Sequence, residues 1–284
     1  MFDAEKFIAG QVEKVREQVK GRAIIAASGG VDSTVCAALV SRAIGDRLLA
    51  VYVDTGFMRK GETANVDKML SRLGVNHMVV DASDEYFDAL KGVTDPERKR
   101  KIIGEKFIRV FEREAKKFDA QYLVQGTIAP DWIESGGGLR DVIKSHHNVG
   151  GLPADMNLTL VEPLRDLYKD EVRKVARALR MEVAEKQPFP GPALAIRVMG
   201  EPTRESVAIV REACAIAEEE IEKAAAAGKM KLPWQYFAVL LPVRSVGVQG
   251  DIRAYGYTVA VRAVDSVAAM SAVSAKIPHE VLAG

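Results

Sequence analysis

The 284-residue chain has little of what marks secreted, membrane-spanning or nucleic-acid-binding proteins. It has two cysteines, Cys36 and Cys214. Both fall in apolar, helix-like stretches, and the pattern predicts reduced, buried, inert thiols in a cytoplasmic protein. No apolar run approaches membrane-spanning length, and Met1-Phe2-Asp3-Ala4-Glu5-Lys6 lacks the signature of a signal peptide. Formal net charge is +1, and no block of like charge is long. The densest basic run, Arg98-Lys99-Arg100-Lys101, reads as a solvated helix face, which excludes an obvious nucleic-acid footprint. No internal repeat is visible. What remains is 48% hydrophobic and 28% charged, a composition that supports a sizeable core and, at this length, two domains.

Against that plain background one stretch stands out: Ile24-Ile25-Ala26-Ala27-Ser28-Gly29-Gly30-Val31-Asp32-Ser33-Thr34. It reads as a buried strand, a two-glycine turn and the start of a helix. Such a turn points several free backbone N–H groups one way, with the positive end of the helix dipole behind them. Ser28, Ser33 and Thr34 add hydroxyls. No Gly-Lys-Ser/Thr follows, so this is an anion site but not a Walker loop.

Helical periodicity over 3–20, 61–73, 96–118 and 169–179 alternates with short apolar runs at 48–53, 77–80 and 122–125, and 84–90 reads as a short helix. Alternating strands and helices predict an α/β fold, a doubly wound, mostly parallel sheet. Three expected strand ends carry small or polar residues: Ser28-Gly29-Gly30, Asp54-Thr55-Gly56 and Gln125-Gly126-Thr127. In a parallel sheet these gather on the ligand-binding edge. Residues 129–155 show no clear period, which for so long a loop suggests function. Prolines and glycine at 188–192 suggest a boundary between a domain over 1–187 and a smaller α+β domain over 188–284, with a helix over 203–227 and strands at 237–243 and 257–264.

The Ser28–Ser33 string resembles the pyrophosphate loop of the ATP pyrophosphatases, which cleave ATP between its α and β phosphates to adenylate a substrate. Other segments resemble the GMP synthetase family in particular, in its order and over essentially the whole chain. They are Asp95-Pro96-Glu97-Arg98-Lys99-Arg100-Lys101-Ile102-Ile103-Gly104, Gln125-Gly126-Thr127-Ile128-Ala129-Pro130-Asp131-Trp132-Ile133-Glu134-Ser135, Ile143-Lys144-Ser145-His146-His147-Asn148-Val149-Gly150-Gly151-Leu152-Pro153, Glu162-Pro163-Leu164, Lys169-Asp170-Glu171-Val172-Arg173, Pro188-Phe189-Pro190-Gly191-Pro192 and Pro242–Asp251.

The resemblance implies an adenine nucleotide alpha-hydrolase-like fold and a synthetase that adenylates XMP with ATP and then lets ammonia displace AMP to give GMP. It implies that Ser28, Gly29, Gly30, Val31, Asp32, Ser33 and Thr34 hold the pyrophosphate of ATP, with Asp32 on Mg²⁺. Val53, Asp54 and Gly126 would border the nucleotide. Residues 129–155 resemble the family's lid, bringing Asp131, Glu134 and Lys144; Lys144, Lys169 and Asp131 are the expected catalytic groups. Arg100, Asp251 and Arg244 match positions around XMP, and Arg244 or Arg197 would contact phosphate or a second subunit. His146 and His147 are adjacent and point different ways, so they form no zinc pair.

The nucleotide loop begins at residue 28, which leaves no room before it for the glutamine amidotransferase domain that many members carry. Ammonia is therefore expected free or from a separate glutaminase subunit. The chain ends at Gly284, before the Lys-Pro-Pro-Ala-Thr-Ile-Glu-like segment that the family uses at the XMP site, so the second domain, expected to bind XMP and form a homodimer, is expected to lack that segment. The lack of a Cys-x-x-Cys pair and of a basic surface run argues against tRNA thiolation. Another ATP pyrophosphatase with a different acceptor, or a non-catalytic nucleotide-binding and dimerisation module, remains the alternative.

Overall fold

The computed structural model describes residues 2–133, 158–181, 187–249, 252–267 and 271–282. The chain divides into two compact units. One comprises Met1–Asp54, Gly61–Ala82 and Gly104–Ala184; the other comprises Thr55–Lys60, Ser83–Ile103 and Glu185–Gly284.

The first unit is built on a five-stranded sheet. Strands β1 (Ala23–Ala26), β2 (Leu48–Asp54), β3 (His77–Asp81), β4 (Tyr122–Val124) and β5 (Thr159–Val161) lie in the order β3-β2-β1-β4-β5, all neighbours parallel. Order reverses between β1 and β4, the doubly wound arrangement read from the sequence, and this places the ends of β1 and β4 side by side at the switch point. Strand β1 and the first six residues of β2 are buried almost throughout, as expected of central parallel strands covered on both faces.

Helix α1 (Ala4–Gln18) is capped by Asp3, whose carboxylate accepts from Lys6 N at 3.0 Å. Helix α2 (Val31–Ile44) is buried along most of its length, so it packs between neighbours, which are α1 and a later helix, α7 (Lys169–Ala178). Helix α3 (Glu62–Arg72) lies on β2 and β3, burying Val66 and Leu70. Of the remaining helices before α7, α4 (Ser83–Ala89) and the start of α5 (Pro96–Lys117) belong to the second unit, while the rest of α5 and α6 (Ala129–Ile133) belong to this one. The expected strands and helices are present to within a few residues at their ends. The elements of this unit that were not foreseen are β5, α6 at the start of the unpatterned stretch, and a short helical turn at Gly45–Arg47.

The second unit has a long helix, α8 (Arg204–Ala226), on an antiparallel sheet of β6 (Gln235–Gln249), β7 (Ile252–Val267) and β8 (Ser271–Ser274), with a final turn of helix, α9 (His279–Leu282). Thr203 caps α8, accepting from Ser206 N at 3.1 Å. Its buried residues, Val207, Val210, Cys214, Ile221 and Ala224, recur at helical spacing and form the stripe that meets the sheet. Strands β6 and β7 run well beyond the apolar stretches that marked them. Their register shifts between Leu240 and Arg244, where Pro242 has no N–H to give to the ladder.

Residues 55–60 and 83–103 belong to this unit through specific contacts. Arg211 donates to Gly56 O (2.6 Å) and Met58 O (2.9 Å), and Phe57 packs edge-on against Tyr86 and Phe87. Lys99 is 1% exposed and donates Nζ to Ala195 O (3.1 Å) and Val198 O (2.7 Å), while burial holds its ammonium below the ordinary lysine value. The run Arg98–Lys101 is therefore not a wholly solvated face: the second of its four cations is a core residue tying α5 to the turn at Ala193–Ile196. Arg197 corrects another expectation. It is 3% exposed, with its guanidinium between the rings of Phe189 (4.8 Å) and Phe237 (4.2 Å), so it is not on a surface that could face another copy of the chain. Both cysteines are free and buried, as expected. No helix among the described residues is long and apolar enough to cross a membrane.

Candidate active site

The loop between β1 and α2 has the geometry its sequence requires. Gly29 has φ +74°, a left-handed conformation that side chains resist, and a Cβ there would lie 2.8 Å from Val66 Cγ2. Gly30 caps α2 without a side-chain acceptor, leaving the first-turn N–H groups for a ligand. The hydroxyls are turned inward. Ser28 Oγ and Ser33 Oγ are 2.9 Å apart, Gly30 N donates to Ser28 Oγ at 3.3 Å, and Thr34 Oγ1 donates to Gly30 O at 2.7 Å. Val31 opens the helix beside them.

Asp32 and Lys169, 137 residues apart, meet here: Lys169 Nζ is 2.5 Å from Asp32 Oδ2. The other oxygen, Asp32 Oδ1, is buried with no hydrogen-bond partner. Lys169 is the first residue of α7, where a cation opposes the helix dipole, so the local helix does not explain its charge. The helix start is secured instead by Glu171, whose Oε2 accepts from Tyr168 N at 3.0 Å. Below the loop, Cys36 lies fully buried with its Sγ 3.5 Å from Gln125 O; burial, and then the charge of Asp32, push its thiol pKa up, so it stays an uncharged core residue.

Gly126, after β4, sits against the backbone of the same helix turn. A Cβ on it would be 3.2 Å from both Asp32 C and Ser33 N. Its smallness thus seats β4's exit on α2 rather than only admitting a ligand. Gly126→Val is expected to displace the first turn of α2, destabilise the fold by about 1–3 kcal/mol and weaken nucleotide binding. Thermal melting and ATP titration check this, and unchanged values for both would show that the turn can yield.

Val53 is buried at the end of β2, and Asp54 beside it accepts from Thr63 Oγ1 at 2.7 Å, a fixing contact the sequence did not reveal. Asp131 caps α6: its Oδ2 accepts from Ile128 N at 3.1 Å. In the second unit, Arg100 pairs with Glu97 on its own helix at 2.9 Å. Arg244 lies on the β6–β7 ribbon, its guanidinium 4.4 Å over Tyr257 and donating to that hydroxyl at 2.6 Å, which in turn donates to Glu205. Lys144, Glu134, His146, His147 and Asp251, and most of the lid-like stretch, lie outside the described residues.

The arrangement is a helix N-terminus with a cation, Lys169, and a carboxylate, Asp32, on one edge of a parallel sheet. It suits a phosphate-rich ligand. Residues 2–119 match the family model described as NAD synthase, and residues 219–284 match GMP synthase C terminal domain. A glutamine-hydrolyzing GMP synthase subunit of Methanopyrus kandleri is 59% identical over 286 residues, covering 99% of this chain and 90% of that protein. The protein of the same name in Thermococcus kodakarensis is 61% identical over 282 residues, 98% of this chain and 89% of that one. In fold alone, the chain resembles NMN synthetase from Francisella tularensis, with a TM-score of 0.53 at 15% identity over 68% of this chain and 78% of that one. With such identity over nearly the full length of both relatives, the chain belongs to this family of glutamine-hydrolysing GMP synthase subunits.

Proposed function

We propose that this chain is the synthetase subunit of a glutamine-hydrolysing GMP synthase, that XMP is its acceptor, and that a separate glutaminase subunit supplies its ammonia. The observation that carries this reading is the 59–61% identity to glutamine-hydrolyzing GMP synthase subunits over nearly the whole chain; the pairing of Asp32 with Lys169 at the N-terminus of α2 supports its ATP part.

In the first step the C2 oxygen of xanthine attacks the α phosphorus of ATP. The bond to the bridging oxygen breaks, and pyrophosphate leaves. Negative charge grows on the departing phosphates, and the groups proposed to meet it are the α2 N–H donors and Lys169, with Ser28 and Ser33 after their hydroxyls leave the loop contacts; Thr34, buried and donating to Gly30 O, shapes the loop. In the second step ammonia attacks C2, the C2–O bond breaks, and AMP leaves; one ammonia proton passes to solvent here, the ring N–H proton having left when the C2 oxygen was adenylated. Adenylation turns a poor leaving group into a good one. Lys144 and Asp131 are assigned to the reacting centre, Val53, Asp54 and Gly126 to the adenosine side, and Arg100, Arg244 and Asp251 to XMP. We assign ATP to a domain over 1–187 and XMP and dimerisation chiefly to 188–284, with Arg100 reaching XMP from the segment 83–103 that groups with the second unit, and the compartment is the cytoplasm.

A magnesium ion fits this loop. Asp32 Oδ1 is a buried acceptor without a donor, and no group of three metal-ligating side chains exists among the described residues. One carboxylate, with phosphate oxygens and water for the rest, is how Mg²⁺ is commonly held. When bound it would neutralise phosphate charge.

The purified chain mixed with ATP, Mg²⁺, XMP and ammonium is expected to release AMP and pyrophosphate as XMP absorbance falls. Glutamine is expected to replace ammonium only after a glutaminase subunit is added. Pyrophosphate release that ignores XMP would overturn the acceptor.

Homodimer formation is supported by the β6–β7 ribbon, where cross-strand partners Val246 and Tyr255 are 51% and 74% exposed. Val246→Asp with Tyr255→Asp is expected to halve the mass seen by light scattering. An unchanged mass would place the interface elsewhere.

A further inference from the structure

Asp32 and Lys169 neutralise each other at 2.5 Å before any ligand is in place, and the loop hydroxyls are likewise engaged with the loop itself. Granting the reading above, that this loop holds the phosphates of ATP, each ligand arriving alone meets a charge problem. A nucleotide without metal must draw Lys169 onto its phosphates, which leaves the partly buried Asp32 negative and facing them. A divalent cation without nucleotide must take Asp32 from Lys169 and leave the ammonium beside it. Separating charges in a half-desolvated site is costly. A metal–nucleotide complex avoids both penalties: Lys169 passes from carboxylate to phosphate, and Asp32 passes from ammonium to metal, with Oδ1 already lacking a partner. Every charge stays paired through the exchange.

We propose that the Asp32–Lys169 pair is a counter-ion latch, which makes the site accept the metal–nucleoside triphosphate complex in preference to either free nucleotide or free metal. Asp32 and Lys169 then act together as a specificity device and not only as two separate ligands.

The test is calorimetric titration of ATP, with magnesium or with EDTA, into the whole chain and into Asp32→Asn, Lys169→Met and the double variant. Asp32→Asn is expected to bind metal-free ATP about tenfold more tightly than the unaltered chain and to lose most of the benefit of magnesium. That gain should be at least as large with Lys169 present as with methionine in its place. A gain larger with methionine than with lysine at 169 overturns the latch, because breaking the pair must add its cost to the repulsion that Asp32→Asn removes; the contact between the two side chains in a ligand-bound crystal separates the latch from a pair that stays closed. Equal affinities of the unaltered chain and Asp32→Asn for metal-free ATP also overturn it. If the unaltered chain binds no ATP under either condition, the ATP reading itself fails. A crystal structure with magnesium and a non-hydrolysable ATP analogue gives a check without variants. Lys169 Nζ should have left Asp32 for a phosphate oxygen, and a retained contact overturns the proposal.

Discussion

Lys169→Met is expected to slow XMP-dependent pyrophosphate release by roughly 10²–10³-fold, the usual loss when one preorganised donor is removed from a developing negative charge. Methionine keeps the length and apolar stem of lysine, and the helix start does not depend on the ammonium, because Glu171 caps Tyr168 N. The variant therefore loses the ammonium that neutralises Asp32 and is proposed to meet the phosphates, while the helix start stays intact. Lys174→Met is the control. It lies on the same helix, and its ammonium is 3.6 Å from exposed Asp170, an arrangement worth little to stability. Initial rates at saturating ATP separate turnover from binding. A Lys169→Met rate within a few-fold of normal would remove Lys169 from the reacting centre and leave that task to residues in the 129–155 stretch, Lys144 first.

Much of this site was legible in the sequence because its parts are local. An apolar strand, two glycines and a helix start occupy eleven consecutive residues, and each type has one physical reason to be there. The three polar strand ends also fell on one edge, since all five strands are parallel. The partnership of Asp32 with Lys169 was not legible, because nothing in either segment records a contact across 137 residues. Strand β5 escaped notice for a different reason: it has three residues, two of them exposed, so it carries no period. The ribbon was found only where it is apolar; its far part, from Arg244 onward, is largely exposed on the described residues and has no core-facing pattern. Buried cations were the least legible. Lys99 and Arg197 look like surface charges by type, and only backbone carbonyls and aromatic rings supplied by distant segments make their burial tolerable.

Arg197→Ala should therefore act on stability before it acts on any ligand. The guanidinium fills the space between Phe189 and Phe237, donates to Cys214 Sγ at 3.5 Å and lies 3.8 Å from Glu218. Alanine would leave a void between two rings and remove a cation 3.8 Å from the largely buried Glu218 carboxylate. Breaking a buried pair from one side commonly costs about 3–5 kcal/mol, and the melting temperature is expected to fall by on the order of 10 °C. Arg197→Lys keeps the charge but not the flat surface that both rings cover, so it should recover only part of the loss. ATP titration gives the needed contrast, because the β1–α2 loop belongs to the other compact unit and its own contacts are untouched. A variant that melts normally yet loses XMP-dependent turnover would make Arg197 a ligand contact after all. A variant that melts early while still binding ATP would fix it as the residue that holds the second unit's aromatic core together.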